Sequence, residues 1–561
     1  MNHRAHSKSI LFKQIWNNSY LRRIIRNYVV ENKEIKISFF YLITNYKELA
    51  LLDKEKYNIL ICLVIDDPYG RLMNYGIEDT KTDFVLQVFD SPHIGIVNSL
   101  EINQPTEKLM SFVEGRKLPE SLVKLSLYFS DGGKCAFDYT SIPSSVTELC
   151  VQARGIREPI HSLPSSIKHI SLNYYPYKIL PGTLPEDLQS LETSDYYLPL
   201  GNELPKTLTK LKSYDEVGVN INNSDLPPTL KTLDLSSNIQ YLTNLSFSEP
   251  MKGLVVELDN VEQLYITTRK TWITEIYFNH FTKQEIPINL FPETLTTLTL
   301  SYDFPLMPKL LPPHLTRLEL YNFDKRLDAN ILPRSLTFLS MAQYNQRLYK
   351  GVLPPNIKNL EMRSFAQTLD RGVLPNLIKL ELGTFLPLDR QPDVLPCSLL
   401  VLSLSYFNNI LPNYLPNTIQ HLKIHSYKEI YIKENTIPDS VRQLSIRFGV
   451  IRKMVLPEYT ITRLSLNRMS QREAPFKGLI VPPSVKDLDI DIGSVPVIPP
   501  SVEKLRLQPF SIVKKGDIPK TIKLLHLDLP YDQHVNNIEP GIIPPRCTIS
   551  LDGILISNNN K

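Results

Sequence analysis

The sequence predicts an α/β-type repeat solenoid, mostly β, with one long parallel sheet of about 21 short strands. The pattern L-P-x-S-L-x-x-L-x-L recurs from Leu118 onward. Its prolines keep a constant phase: Pro119 and Pro544 lie 425 residues apart and delimit 20 intervals, a mean period of 21.25 residues. Composition agrees, because 44 prolines and 20 glycines reverse the usual ratio while 42% hydrophobic residues exclude a disordered proline-rich chain.

Each position of the repeat has a physical role. The final L-x-L pair alternates as a short half-buried strand does. Proline fixes φ and lacks an N–H, so it suits the stretch that enters the strand. Two residues after proline, Ser, Thr or Asn offers a short side chain that can close a turn. We therefore expect the following residues to be buried and in register: Leu318, Leu320, Leu339, Met341, Leu360, Met362, Leu380 and Leu382.

The repeat lapses once, between Pro227 and Pro292. These 65 residues are three periods, so two degenerate units fit between residues 236 and 290, with predicted strands at Val256/Leu258 and Ile276/Phe278. One unit alone buries too little apolar surface to offset the entropy of ordering it, whereas stacked units share burial. The solenoid is therefore predicted over residues 101–552, with an irregular or extended convex side, followed by a polar tail over 553–561.

Residues 1–100 lack the repeat and are predicted to form a small helical or mixed module that caps the first repeat strand. Apolar residues from Leu11 to Tyr28 recur at helical spacing. The alternative interpretation is a basic helix that binds a membrane surface or a partner. Its cations would be Arg22, Arg23 and Arg26.

Charge and local motifs narrow the class of protein. A net charge of +4 over 561 residues gives no reason to expect nucleic acid as a partner. The start of the chain has no signal-type apolar run, and the compact apolar stretch Ile59–Ile65 is too short to span a bilayer. We therefore predict a cytoplasmic protein without a membrane span. No GxGxxG, Walker, HExxH or GxSxG motif occurs, so no enzyme activity and no cofactor are predicted.

The repeat resembles known families. A solenoid with an L-x-x-L-x-L core and this period is similar to the leucine-rich repeats. The L-P-x-S-L version, followed by an aromatic residue and a short polar run, is similar to the FNIP repeat over about residues 100–561. This resemblance implies a leucine-rich-repeat-like horseshoe with a concave parallel sheet. The matching aromatic residues, of which "YNQRL" at Tyr344 opens one segment, are Phe323, Tyr344, Phe365, Phe385, Phe407 and Tyr427.

Two groups of side chains invite a metal-binding interpretation. His421 and His425 lie on one predicted strand beside Lys423, without acidic or Cys neighbours, and are expected to be surface histidines. Carboxylates alternate with apolar residues in "DLDID", Asp487 to Asp491, so all three should face outward. A cation site is conceivable there. We expect cross-strand ion pairs instead, because the neighbouring strands present Arg463 before this strand and Lys504 and Arg506 after it.

The concave face is the predicted binding surface, because exposed Tyr, Phe and Arg are favoured in protein interfaces. The leading hypothesis is a non-catalytic scaffold that binds a protein partner there. The alternative is a substrate receptor of a ubiquitin ligase, in which residues 1–100 recruit the ligase; some FNIP proteins carry an F-box, but no F-box pattern is evident in these residues. The candidate partner-binding residues are Arg317, Glu319, Tyr321, Phe338, Glu361, Arg363, Lys379 and Glu381.

Overall fold

The protein is described from a computed structural model. The described residues are 33–65, 90–103, 118–129, 137–154, 156, 158–194, 200–214, 219–278, 284–383, 394–405, 411–469, 479–491, 496–507, 516–527, 543–544, 547–551 and 554–556. They contain 25 strands, two α-helices and several short 3₁₀ segments, so the molecule is mostly sheet. The predicted basic helix with Arg22, Arg23 and Arg26 lies outside these residues, as do Phe385 and Phe407.

The chain divides into two units, which we describe separately. Among the described residues, the first unit contains helix α1 (Phe39–Leu49) and the following strands: β1 (Glu34–Ile37), β2 (Leu60–Ile65), β3 (Ser99–Asn103), β4 (Lys124–Phe129), β5 (Glu148–Ala153), β6 (His169–Asn173), β7 (Ser190–Ser194), β24 (Thr548–Leu551) and β25 (Ile554–Ile556).

The second unit contains the short helix α2 (Leu264–Thr267) and the following strands: β8 (Lys210–Ser213), β9 (Thr232–Asn238), β10 (Lys252–Leu258), β11 (Glu275–Phe278), β12 (Thr297–Ser301), β13 (Arg317–Tyr321), β14 (Phe338–Met341), β15 (Asn359–Met362), β16 (Lys379–Leu382), β17 (Val401–Ser405), β18 (His421–Ile432), β19 (Gln443–Met454), β20 (Arg463–Arg468), β21 (Asp487–Asp491), β22 (Lys504–Leu507) and β23 (Leu524–Leu527). Within the described ranges, neither helix has the length and apolar character that a bilayer crossing requires.

Parallel pairing joins each strand of the second unit to the next, as a solenoid requires. The L-x-L residues of β13 to β16 are at most 1% exposed, and Leu318, Leu339, Leu360 and Leu380 follow one another in register. The predicted burial and register are therefore confirmed. Strands β10 and β11 lie where the two degenerate units were placed, with Val256 opposite Ile276. The alternation of apolar residues determines which face of each strand is buried.

The serine of the L-P-x-S-L block acts between units, and not within its own turn as expected. The turn is closed by the backbone, because the Leu336 N–H donates to the Pro333 carbonyl at 3.2 Å. The Ser335 hydroxyl donates instead to the Leu315 carbonyl of the preceding unit at 2.6 Å. The same bond recurs from Ser398, Ser440 and Ser484. In these four units the serine hydroxyl therefore ties neighbouring units together.

Replacing Ser335 by alanine should lower the free energy of unfolding by about 1 kcal/mol, because a half-buried carbonyl loses its partner. Chemical denaturation of the purified chain measures this change. Ser335→Thr keeps the hydroxyl and should retain most of the stability. Arg334→Ala, an exposed change in the same turn, should stay within about 0.5 kcal/mol of the wild type. Equal midpoints for Ser335→Ala and Arg334→Ala would contradict this role.

The aromatic residue after each strand belongs to the core. Phe323, Tyr344 and Phe365 are fully buried and form a stacked column, with ring centroids 6.0 and 6.5 Å apart and planes within 7°. The residues that follow the three rings are also bonded in a column: the Asn345 N–H donates to Asp324 Oδ1 at 2.7 Å, and Asn345 Oδ1 accepts from the Ala366 N–H at 2.8 Å. Ring stacking and side-chain-to-backbone bonds thus repeat from unit to unit.

The sequence suggested that Tyr427 occupies the position of these buried rings, and this is wrong. Its side chain is 69% exposed. The reason is local. Strands β18 and β19 are 12 residues long and remain paired as far as Ile432 and Met454, well past the point where the other units turn. The chain at Tyr427 is still part of a strand, so its side chain does not reach the buried column. These two strands also depart from the short strands predicted.

In the first unit, residues 34–65 extend the parallel sheet. Strand β1 pairs with β2, and β2 pairs with β3, each in parallel register. Two ion pairs reach across these strands, Lys36 to Glu101 at 2.5 Å and Lys124 to Glu34 at 3.0 Å. Strand β25 pairs with the other side of β1. Its three apolar residues lie within the segment 553–561 that the sequence suggested to be a polar tail.

Candidate functional site

The candidate site is the outward face of strands β11 to β16, the side of the sheet opposite the buried leucines. On these strands the outward residues alternate with L-x-L residues, so the same pattern that builds the core aims them into solvent. Seven of the eight predicted site residues lie on four consecutive strands, β13 to β16, and the eighth, Arg363, directly follows β15. The sheet therefore brings all of them onto one surface.

The half of the site on β13 and β14 is a connected network. The Arg317 guanidinium donates from Nε and Nη2 to Glu319 Oε1, at 2.9 and 2.5 Å. The Tyr321 hydroxyl donates to the other oxygen of Glu319 at 3.1 Å. The guanidinium carbon of Arg317 also lies 3.6 Å from the ring centroid of Phe338, a cation–π contact. One carboxylate thus fixes two side chains, and one of them covers the neighbouring ring.

The half on β15, Arg363 and β16 consists of two diagonal ion pairs between neighbouring strands. Lys379 Nζ lies 2.7 Å from Glu361, and Arg363 Nε lies 2.9 Å from Glu381. Both carboxylates are well sheltered, at 13% and 17% exposure, whereas the Arg363 side chain is 62% exposed. Each charge has a partner, so the surface is polar without a net charge. Such a surface favours a partner with mixed polar and apolar groups.

The structure adds residues that the sequence missed. Tyr277 on β11 is 38% exposed and faces the same side, and Glu275 precedes it on that strand. Burial raises the pKa of Glu275, and Glu319 and Asp234 raise it further while Arg317 opposes them. Burial and the nearby Glu319 carboxylate raise the pKa of Tyr321. Strand β11 belongs to a degenerate unit without L-P-x-S-L, which is why its outward residues were overlooked.

The carboxylates of Asp487, Asp489 and Asp491, one of the two metal-binding candidates, take part in other interactions. On β21, Asp487 Oδ2 lies 3.6 Å from Arg463 Nε, and Asp491 lies 3.5 Å from Arg468. Asp489 accepts from the Ser465 hydroxyl at 3.0 Å. Cross-strand ion pairing is thus confirmed for Asp487, with the predicted Arg463. Throughout the described part of the chain, no group of three or more His, Cys, Asp or Glu side chains is placed to hold a metal ion.

Comparison with known protein families detects the repeat at three places in the chain. A family model described as the FNIP repeat matches residues 158–196, 302–343 and 344–385, well under half of the chain. The second and third matches begin at Tyr302 and Tyr344, two of the buried aromatic residues. A search of curated proteins finds no match.

Three solved structures are similar to the chain. The first, described as CroV588, a novel circular leucine-rich-repeat protein, shares 21% identity over 84% of this chain and 68% of its own, with a TM-score of 0.41. YopM from Yersinia enterocolitica WA-314 shares 17% over 86% and 98%, with a TM-score of 0.28. A chain of the Toll–Spatzle complex of Drosophila shares 12% over 91% and 84%, with a TM-score of 0.31. Likenesses this distant say nothing of function. The family model thus detects FNIP repeats at three places in the chain, within a solenoid of recurrent L-x-L strands and buried aromatic residues.

Proposed function

We propose that the protein is a non-catalytic scaffold that binds a protein partner on the outward face of β11 to β16. A leucine-rich-repeat-like solenoid is a fold that suits protein interaction, because it presents a long, regular sheet face. The observation that carries the proposal is the network around Glu319. It holds Tyr321, which is 42% exposed, together with Arg317 and Phe338 in fixed positions.

Side chains that are already ordered in the free protein favour tight binding, because less conformational entropy is lost when the partner binds. An exposed aromatic or Arg side chain normally loses about 0.5–1.5 kcal/mol of conformational entropy when a partner immobilises it. Here Arg317 already lies between Glu319 and Phe338, and the Tyr321 hydroxyl is already bonded. Much of that entropy is lost on folding. Tyr and Arg are also the residue types that dominate interface energetics.

The variant Arg317→Ala/Tyr321→Ala/Phe338→Ala should weaken partner binding by at least about thirtyfold, the equivalent of one lost anchor of 2 kcal/mol. Affinity purification from the native cell followed by mass spectrometry compares it with the wild type. Tyr459→Ala, which removes a 76% exposed tyrosine elsewhere in the same unit, is the matched control. Retention of the same partner by the triple variant would place the binding surface elsewhere.

A loss of binding must be separated from a loss of fold. Removing Arg317 leaves the Glu319 carboxylate, 20% exposed, without its guanidinium, so we expect the triple variant to lose about 1 kcal/mol of stability. Tyr321→Ala alone takes away an exposed ring and its exposed hydrogen bond to Glu319, and should unfold within about 0.5 kcal/mol of the wild type. The Tyr321→Ala variant should still weaken partner binding measurably.

The alternative function, a substrate receptor of a ubiquitin ligase, stays a prediction. Pull-down of F-box adaptor proteins with the full chain tests it.

A further inference from the structure

Four strands beside the proposed binding site carry a different surface. We call the outward residues of β17, of β20 and of the first five positions of β18 and β19 the cationic grid. It is formed by Val401, Ser403, Ser405, His421, Lys423, His425, Gln443, Ser445, Arg447, Arg463, Ser465 and Asn467. None of these positions carries a carboxylate, whereas β13, β15, β16 and β21 each have at least one outward carboxylate.

Two cations of the grid are exposed and unneutralised. Lys423 and Arg447 have no ion-pair partner among the residues that the structure describes. The acids on the flanking strands are already engaged: Glu381 holds Arg363 on one side, and Asp487 holds Arg463 on the other. The grid therefore keeps an unsatisfied positive charge, although the whole chain carries only +4.

Hydroxyl and imidazole groups surround these cations in register. Lys423 lies between Ser403 and Ser445, and His425 lies between Ser405 and Arg447. Neighbouring strands are about 4.8 Å apart, and alternate residues along a strand are about 6.6 Å apart. Arg447 therefore lies on the strand next to Lys423 and two residues further along it. Alternate side chains of an extended peptide have a comparable spacing.

The pKa of His425 depends on the charges of the grid. Burial lowers its pKa, and Arg447 and Lys423 lower it further, while Glu381 on β16 opposes them. These three are the charged groups that act on it from its own strand and from the strands packed nearby. Carboxylates bound to the grid would favour the imidazolium and raise this pKa. Binding of an anion would then take up protons and be tighter at lower pH.

We propose that the cationic grid binds an acidic segment of a protein partner, with carboxylates on Lys423 and Arg447. This surface is separate from the site on β11 to β16 and adds a second, charge-selective contact. Nucleic acid fits less well. Its binding is built from many phosphate contacts and, for single strands, base stacking on aromatic side chains. The grid offers two free cations, and its only rings are the half-buried imidazoles of His421 and His425.

The test uses the full chain and a fluorescein-labelled peptide of six glutamates, with fluorescence anisotropy at low salt. The variant Lys423→Gln/Arg447→Gln should bind the peptide at least about tenfold more weakly, which is about 1.4 kcal/mol. Lys433→Gln/Lys453→Gln removes the same charge from exposed positions of the same unit and should stay within about twofold. The Arg317/Tyr321/Phe338 triple variant should bind the peptide like the wild type, so the two proposals can fail separately.

A second readout follows the His425 ring by NMR. Saturating peptide should raise its titration midpoint in the wild type and in Lys433→Gln/Lys453→Gln, and should leave it unchanged in Lys423→Gln/Arg447→Gln. A hexaglutamine peptide should not bind. The proposal is overturned if the acidic peptide fails to bind at millimolar concentration, if both charge variants weaken it equally, or if single-stranded DNA binds more tightly than the peptide.

Discussion

Replacing Gly383 by alanine should lower the free energy of unfolding by about 3–5 kcal/mol, a very large effect for one methyl group. Gly383 follows β16, and its N–H donates to the Met362 carbonyl at 2.9 Å. A Cβ on this residue would lie 1.0 Å from the Arg363 carbonyl oxygen and 1.9 Å from the carbonyl carbon. Both atoms are backbone, so no side chain can rotate away and two strands must separate.

Two other glycines give graded controls for this prediction. Gly95 has open space around its missing Cβ and an ordinary φ, so Gly95→Ala should be nearly neutral. Gly372 also has open space, but its φ of +77° is costly for alanine, and Gly372→Ala should lose about 1–2 kcal/mol. Thermal and chemical unfolding of the three variants measure the order. A Gly383→Ala protein that unfolds like Gly95→Ala would mean that β15 and β16 do not approach so closely.

The buried side of the repeat could be predicted from the sequence because it depends on periodicity alone. Leucines at L-x-L positions have one way to be buried in a parallel stack, and Leu318 to Leu382 follow it. Even the degenerate units could be placed, because Val256 and Ile276 keep the phase of their neighbours. Tyr427 could not be placed, because its position depends on where β18 ends. The 21-residue period of the repeat does not predict that this strand is 12 residues long.

The candidate site was predictable as a surface but not as a network. Alternation puts Arg317, Glu319 and Tyr321 on one face, and the sequence predicted as much. Which carboxylate each cation selects depends on rotamers and on pairs across strands, such as Arg363 with Glu381. Tyr277 escaped prediction because its unit lacks the proline block that marks the others. Sequence therefore identifies the face, and only the structure shows how its charges are paired.

The largest side-chain effect should come from the stretch "YNQRL" at Tyr344. Tyr344→Ala should lower the free energy of unfolding by about 3–5 kcal/mol, because the ring is fully buried between two others. Its neighbours, Phe323 and Phe365, would each lose a stacking partner. The Asn345 bonds to Asp324 and Ala366 depend on the same backbone position and should weaken with it.

Two matched variants separate ring packing from other effects. Tyr344→Phe keeps the ring that Phe323 and Phe365 carry at the equivalent positions, and should change stability by less than about 1 kcal/mol. Tyr427→Ala removes an equal ring from an exposed position and should cost about 0.5 kcal/mol or less. Chemical denaturation of the three proteins gives the comparison. If Tyr344→Ala were no more damaging than Tyr427→Ala, the aromatic column would not hold the units together, and the role of the aromatic residue in this repeat would have to be sought in binding.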